Sequence, residues 1–421
     1  MSEKRYRVLF VASHAVQYQA PVFRRLAAEP AIDIQVAYCT LKGAEAAHDP
    51  EFGASVQWDV PLLDGYPWTH VPNCGSGKES FFGLLNPGLW KLIRKGNYDA
   101  VVSYVGYVRA TFWITYLASK SCGAAFLSGC DQGSLEPRDG KAWKRIIKKL
   151  AWPLLYRLAD HVVVSSTSAR RLIRSLGIHE ERISLTPLVV DNDWWLARSA
   201  EINRWSVRQS LGASPSDTII LFCAKLQPWK RPLDLLRAFA RAGTCQSFLL
   251  IAGEGPLRAE LEKNAASLGV SSRVRFLGFV NQSQLPAVYT ASDLMVLPSE
   301  FEPFGAVVNE AMCCGCVPVA SDSCGAARDL VAPVSADLVF PCGDIEALAK
   351  ILRDTSSNRT RLQALARAAL AHIQTWSPRE NIARTVDAIR IAVTCKRSGY
   401  SDAAPALPRG SAASSTQKLP E

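Results

Sequence analysis

Two doubly wound α/β sheets facing one another across a cleft are what this sequence predicts, and three observations predict it. Strand-like apolar runs alternate with amphipathic stretches along most of the chain, the pattern of parallel sheets with helical crossovers. The alternation breaks once, over residues 191–208, and then starts again. At 421 residues the chain is too long for one ordinary core, so two domains are the default.

In chain order, strands are expected at 7–12, 32–38, 100–104, 124–128 and 161–165, with Lys- or Arg-rich helical stretches between several of them. These make a first domain over 1–190. The interruption, which carries Trp194 and Trp195, reads as an interdomain connection over 191–215. A second domain spans 216–375, with strands at 218–224, 247–252, 274–278, 294–297, 317–320 and near 338–340. Helices run from Asp344 to about Thr394, and the tail 396–421, rich in Ser, Ala, Pro and Gly, is expected to be disordered.

The N-terminus superficially mimics a signal peptide, but its apolar run is too short and flows into His14, Gln17 and Gln19 without a convincing cleavage site. No long uncharged apolar run occurs, so no membrane-spanning helix is expected. A net charge of +10 favours anionic partners, nucleotide phosphates or anionic lipid surfaces. Nucleic acid is not expected, because the basic residues are not interleaved with aromatics on one sheet face. The twelve cysteines are scattered, and the Cys313-Cys314-x-Cys316 cluster has no paired cluster at zinc spacing. They read as buried thiols in a reducing cytosol, and a cytoplasmic location is expected on that basis.

The segment from Pro298 to Val319 carries the most chemistry. After the apolar run 294–297, Glu302 falls on a loop, Phe304 and Gly305 form a turn, and a helical pattern runs to Gly315. Glu310 lies more than a turn into that helix, with seven residues between the two carboxylates. The backbone N–H groups around Phe304 and Gly305 then sit at a helix N-terminus, suited to polar or anionic ligands. Two acceptor-only carboxylates beside it suit hydroxyls next to phosphates, as in a nucleotide sugar.

With Pro-Ser before it, Phe-Gly within it and Gly-x-Val-Pro-Val after it, this segment resembles the Glu-x7-Glu signature of retaining glycosyltransferases of family 4, the glycosyl transferases group 1. That family has the GT-B fold of two facing Rossmann-like domains. The resemblance implies that Glu302 contacts the donor sugar and Glu310 holds the ribose hydroxyls. It also implies that the last helix, here 376–395, crosses back to the first domain. It is strong over residues 218–340, looser over the first half, and silent on the tail.

The turn Ala224-Lys225-Leu226-Gln227-Pro228-Trp229-Lys230-Arg231-Pro232 comes after the first strand of the second domain. Its three cations make a candidate diphosphate clamp, neutralising a leaving group without a metal. It is similar to the family's Gly-Arg-Leu-x-x-x-Lys, with Lys230 at the Lys, Lys225 where Arg is usual and Ala224 where Gly is usual. Lys is a point charge and cannot make the bidentate contact of Arg, which weakens the grip on the donor more than it changes the reaction class. Gly253 and Gly255 close the next strand and permit close backbone approach to a ligand; they resemble the family's Gly-x-Gly-Pro. Gly278 lies in Phe276-Leu277-Gly278-Phe279-Val280, which resembles the loop whose backbone reads the base.

After the first strand, His14-Ala15-Val16-Gln17-Tyr18-Gln19-Ala20-Pro21 looks like the subset of the family with His-x-x-Gln-Tyr-x-x-Pro there. His14 and Gln17, with Tyr18, would then face the cleft on the acceptor side. Phe52-Gly53, the stretch 58–66 and Asn86-Pro87-Gly88-Leu89 look like the same subset. Asp131, in Gly129-Cys130-Asp131-Gln132-Gly133-Ser134, stands where the family places polar groups close to the reacting sugar. Lys141 to Leu150 is a basic amphipathic stretch with Trp143, Ile146, Ile147 and Leu150 on one face, suited to an anionic membrane surface or a lipid-linked acceptor. The sequence 75–80 imitates a phosphate loop but lacks the first Gly and has Glu79 in place of the hydroxyl residue. No metal and no cofactor is expected, because the three cations of the 224–232 turn can neutralise the leaving group.

The resemblance implies a metal-independent retaining transfer of sugar from a nucleoside-diphosphate sugar to a hydroxyl on a glycan or lipid-linked acceptor, in the cytoplasm or peripherally on the inner face of the membrane. Two alternatives stay open on the sequence alone. A nucleotide-sugar epimerase on the same fold needs groups that abstract a sugar proton and needs no acceptor. A non-catalytic sugar-nucleotide-binding subunit would explain Lys225, whereas intact Glu302, Glu310 and Lys230 argue against it.

Overall fold

The computed structural model describes residues 5–49, 53–244 and 246–398. Phe52 and the tail beyond Ser398 lie outside the described residues.

The first half holds β1 (Tyr6–Ala12), α1 (Ala20–Ala27), β2 (Ile32–Tyr38), a short antiparallel pair β3 (Ala47–Asp49) and β4 (Ala54–Val56), and β5 (Trp68–His70). Then come α2 (Gly88–Lys95), β6 (Ala100–Ser103), α3 (Ala110–Ser121), β7 (Ala125–Cys130), α4 (Ala142–Leu158), β8 (His161–Val164), α5 (Thr167–Ser175) and β9 (Ile183–Leu185). Seven of these strands form one parallel sheet in the order β5-β2-β1-β6-β7-β8-β9. The central strands are apolar because helices cover both faces of a parallel sheet; Val8, Leu9, Phe10 and Val11 are fully buried. The edge strands β5 and β9 escape sequence reading because each is three residues long, too short to show a period.

The second half holds α6 (Asn192–Ala200), α7 (Arg204–Ser210), β10 (Thr218–Cys223), α8 (Pro232–Ala242), β11 (Ser247–Ala252), α9 (Arg258–Ser267), β12 (Val274–Gly278) and α10 (Leu285–Ala291). It continues with β13 (Leu294–Leu297), α11 (Ala306–Cys313), β14 (Val317–Ser321), β15 (Val339–Phe340), α12 (Ile345–Ser356), α13 (Arg359–Ile373) and α14 (Pro378–Arg397). Its sheet has six strands in the order β12-β11-β10-β13-β14-β15, again parallel.

The stretch that interrupts the alternation is helical. Its Trp195 is buried in the second core against Tyr289, at 5.6 Å between ring centroids. The closing helix α14 starts from a capping box, Ser377 with Glu380, and has Pro378 in its first turn. Its Ala388, Ile389, Ala392 and Val393 are buried in the core of the first sheet. Lys396 and Arg397, assigned to the tail by composition, finish this helix.

Strand order and interdomain contacts together position the cleft. In each sheet the strand order reverses once, between β1 and β6 in the first and between β10 and β13 in the second. Loops leaving the carboxyl ends of strands on either side of such a reversal splay apart and leave a crevice. The halves also touch directly. Asp59 accepts from the Ser283 backbone N–H at 3.0 Å and from its hydroxyl, Asp329 accepts from the Thr167 N–H at 2.8 Å, and the Arg138 guanidinium lies 3.9 Å from the centre of the Trp229 ring.

Candidate active site

The second-sheet wall is built from loops at the β10/β13 reversal. After β10 the chain turns through Lys225 to a short helical turn, Pro228–Lys230, and Arg231 then takes a left-handed conformation, φ 51°, before Pro232 opens α8. The Trp229 carbonyl accepts the Glu300 N–H at 2.8 Å, stitching this turn to the loop after β13. The stitch brings Lys230 Nζ onto Glu302 Oε2, an ion pair with both side chains largely shielded from water. Two groups far apart in sequence, singled out for diphosphate and sugar, are thus in contact. Lys225 is half-buried on the same turn.

Gly305 sits at φ 103°, and a Cβ there would lie 2.8 Å from Leu297 Cδ2 and 3.3 Å from Glu302 Cγ. Glycine is therefore what lets the loop after β13 turn into α11 while keeping Glu302 against Lys230. Phe304 faces away from the cleft, buried and stacked on Trp376 at 6.0 Å, so its contribution to the cleft is its backbone. Gly325 donates its N–H to the Glu302 carbonyl at 3.0 Å, fixing the loop from the other side.

Glu310 is buried, on the inner side of α11, and accepts the Tyr289 hydroxyl at 2.8 Å. Burial raises its carboxyl pKa to about 8, opposed by that hydroxyl. Tyr289 is the partner that sequence reading missed. It lies in α10, and nothing in its neighbourhood distinguishes it from an ordinary core aromatic.

Gly253 and Gly255 do permit a close approach, but the chain they approach is their own protein. A Cβ at Gly253 would stand 2.0 Å from the Ala224 carbonyl oxygen, and one at Gly255 would stand 2.7 Å from that of Leu226. Leu226 N–H donates to the Glu254 carbonyl at 2.8 Å, and Gly253 N–H to that of Gly278 at 2.7 Å. The three glycines lock the loops after β10, β11 and β12 into one platform that carries Lys225 and Lys230.

The first-sheet wall is looser. His14 is exposed, with Nδ1 2.9 Å from Ser13 Oγ, and Gln17 is half-buried. Tyr18 packs against the second core, and its phenol pKa is raised by burial and by the negative charges of Asp131 and Glu302. Tyr18 therefore joins the two walls. Asp131 comes directly after β7; water reaches it, yet protein surrounds it, and the loss of bulk solvent raises its carboxyl pKa, opposed by the Ser165 hydroxyl. Tyr18, Asp131, Ser165 and Asn381 line one pocket with Thr186 to Val189, the chain leaving β9.

That stretch of chain is tied to the site. Leu188 O accepts from Trp376 Nε1 at 2.8 Å and from Asn309 Nδ2 at 3.2 Å, and Pro187 O accepts from Asn381 Nδ2 at 2.7 Å. Asn309 precedes Glu310 on α11, so the helix holding the second carboxylate also grips the crossing chain. Cys313, Cys314 and Cys316 are buried thiols whose pKa values burial raises, whereas Cys74 and Cys122, on a loop and at a helix end, are exposed and depart from the expectation of buried thiols. The 75–80 stretch packs around Arg109, which donates to the carbonyls of Lys78 and Ser80.

Two facing doubly wound sheets with such a crevice define the GT-B class of fold. Anabaena HepE in complex with UDP has it: TM-score 0.70, 19% identity, 91% of this chain and 99% of that one covered. So does a glycosyltransferase from Rickettsia africae, with TM-score 0.68, 18% identity and coverage of 92% and 99%. The profile described as Glycosyl transferases group 1 matches residues 203–372, and that described as Glycosyl transferase 4-like domain matches 15–188. A D-inositol 3-phosphate glycosyltransferase from Rhodococcus erythropolis is 31% identical over 84% of this chain and 84% of its own. A 2-deoxystreptamine glucosyltransferase from Streptomyces kanamyceticus is 31% identical over 47% of this chain and 51% of its own. Against the latter and several similar relatives, the chain spans about half of their length. The chain belongs to the glycosyl transferases group 1 family.

Proposed function

We propose that this protein transfers a hexosyl group from a nucleoside-diphosphate sugar to an acceptor hydroxyl, with retention at the anomeric carbon and without a divalent metal. The observation that carries the reading is the Lys230–Glu302 pair beside Gly305. It puts a fixed cation, a fixed carboxylate and the start of a helix in one shielded place. The diphosphate competes with Glu302 for Lys230 and is held by Lys225, Lys230 and the N–H groups at Gly305. Glu302 then turns to the sugar hydroxyls.

Glu310 holds the ribose hydroxyls, and their donation to its carboxylate favours ionisation, so nucleotide binding near neutral pH releases a proton. The acceptor hydroxyl enters from the wall that carries His14, Gln17 and Asp131 and attacks from the face the diphosphate leaves. A phosphate oxygen takes its proton. Catalysis in this reading is positioning plus electrostatics. Acceptors of polysaccharide or glycolipid synthesis fit the open first wall.

A thermal-shift panel of UDP, GDP, ADP and CMP on wild type and Lys230→Ala tests the donor site. Binding to the native state raises apparent stability by mass action. The expected result is a shift with one diphosphate, UDP being the first to try because HepE binds it, and its loss in Lys230→Ala. Equal shifts in both proteins, or none with any nucleotide, would overturn the assignment.

A further inference from the structure

Helix α4 is built the wrong way round for a helix of a water-facing surface. In its first half, from Ala142 to Leu150, no residue is buried, and the most sheltered positions are Lys144 and Lys148. The apolar side chains face water: Trp143 is 56% exposed, Ile146 57%, Ile147 53%, Leu150 70% and Leu154 65%. Their spacing, i, i+3, i+4, i+7 and i+11, places them on one stripe about 17 Å long. An ordinary domain helix would turn that stripe inward and its lysines outward. The opposite side of the second half already packs on the protein through Trp152, Leu155 and Tyr156. The outward stripe is therefore a second apolar face.

We propose that this stripe docks on the surface of an anionic lipid bilayer. Charge selects the occupant. Residues 141–158 hold six cations and no acid. Asp139 pairs with Lys144 and Glu136 with Arg145, while Lys149 and Arg157 stay exposed along the helix. A second copy meeting this face about a two-fold axis would set cations against cations, whereas anionic headgroups neutralise them and the acyl boundary takes Trp143, Ile147 and Leu150. The helix also stands where a lipid would matter. It comes after the loop that carries Asp131, and Arg138 in that loop reaches Trp229 on the opposite wall. Docking through α4 sets the mouth of the cleft at the membrane plane, where a lipid-linked acceptor presents its hydroxyl. Only this last step rests on the transferase reading; the docking itself does not.

The test is flotation of the full chain with vesicles of phosphatidylcholine alone and of phosphatidylcholine with phosphatidylglycerol. Wild type is expected to float with the anionic vesicles only and to come off in high salt. The Ile147→Ser/Leu150→Ser double variant should lose partition about tenfold or more, and Lys149→Gln/Arg157→Gln should lose most of the salt dependence. Because Ile147, Leu150, Lys149 and Arg157 are exposed, the thermal midpoint and the nucleotide-induced shift should stay at wild-type values. That separates failed docking from a failed donor site. Wild type remaining unbound to both vesicle types would overturn the proposal, as would a double variant that floats like wild type. So would a wild-type dimer that the double variant turns into a monomer.

Discussion

The two walls of the cleft are built differently. On the second-domain wall the residues singled out for the donor are held firmly: Glu310 is buried on the inner side of α11, Lys225 and Lys230 ride on a glycine-locked platform, and Lys230 and Glu302 shield one another. On the first-domain wall, His14 is exposed, Gln17 half-buried and Asp131 reached by water. A binding wall held by strained turns and buried partners recognises one ligand, and an open wall of side chains on loops can be respecified by substitution. In the proposed reading the donor grip is part of the fold, while acceptor choice is written on its surface.

Lys230→Ala should have the largest effect on the donor wall. It should lower kcat by about a hundredfold or more with only a small loss of stability. Glu302→Gln should lower transfer similarly yet tighten UDP binding, because it frees Lys230. Steady-state kinetics and titration calorimetry check both, and weaker UDP binding in Glu302→Gln would mean that the pair does not compete for the diphosphate.

Glu310→Gln gives a pH signature of a few kcal/mol at most. Folding holds the Glu310 proton to about pH 8, against an ordinary value of 4.5. Its contribution to wild-type stability is thus fully present below pH 4.5 and is lost as pH rises through 8. The variant has no such loss, so the gap in Tm between the two proteins should open between about pH 5 and 8 and then stay constant. A gap independent of pH would show Glu310 to be ionised throughout.

Gly305→Ala forces a side chain into φ 103° against Leu297. It should cost about 1–3 kcal/mol in denaturant unfolding and raise the donor KM. Asp131→Asn, on the open wall, should change the acceptor KM by about tenfold or less and leave UDP affinity unchanged. If it weakened UDP as Lys230→Ala does, the division between the walls would fail. The smallest effect expected is from Asp59→Ala, which removes the exposed link to Ser283. It should cost about 1 kcal/mol or less and show mainly as faster backbone hydrogen exchange at 281–283.

The two alternating sheets are legible in the sequence, because a parallel strand buried on both faces must be an apolar run bounded by turn residues. The strands Thr218–Cys223, Ser247–Ala252 and Leu294–Leu297 can be read for that reason. The placement of Glu302, Glu310, Gly305 and Lys230 around one turn or at strand ends is legible too, while their selection as a group comes from the resemblance to the family's motifs. Only packing decides that Lys230 meets Glu302 and that Tyr289 meets Glu310, because partners 72 and 21 residues apart are joined by the tertiary fold and not by pattern. Packing also decides what Gly253 and Gly255 approach, and which side of α4 faces water. An amphipathic period shows that a helix has two faces, but only the packed neighbours determine which of them is turned inward.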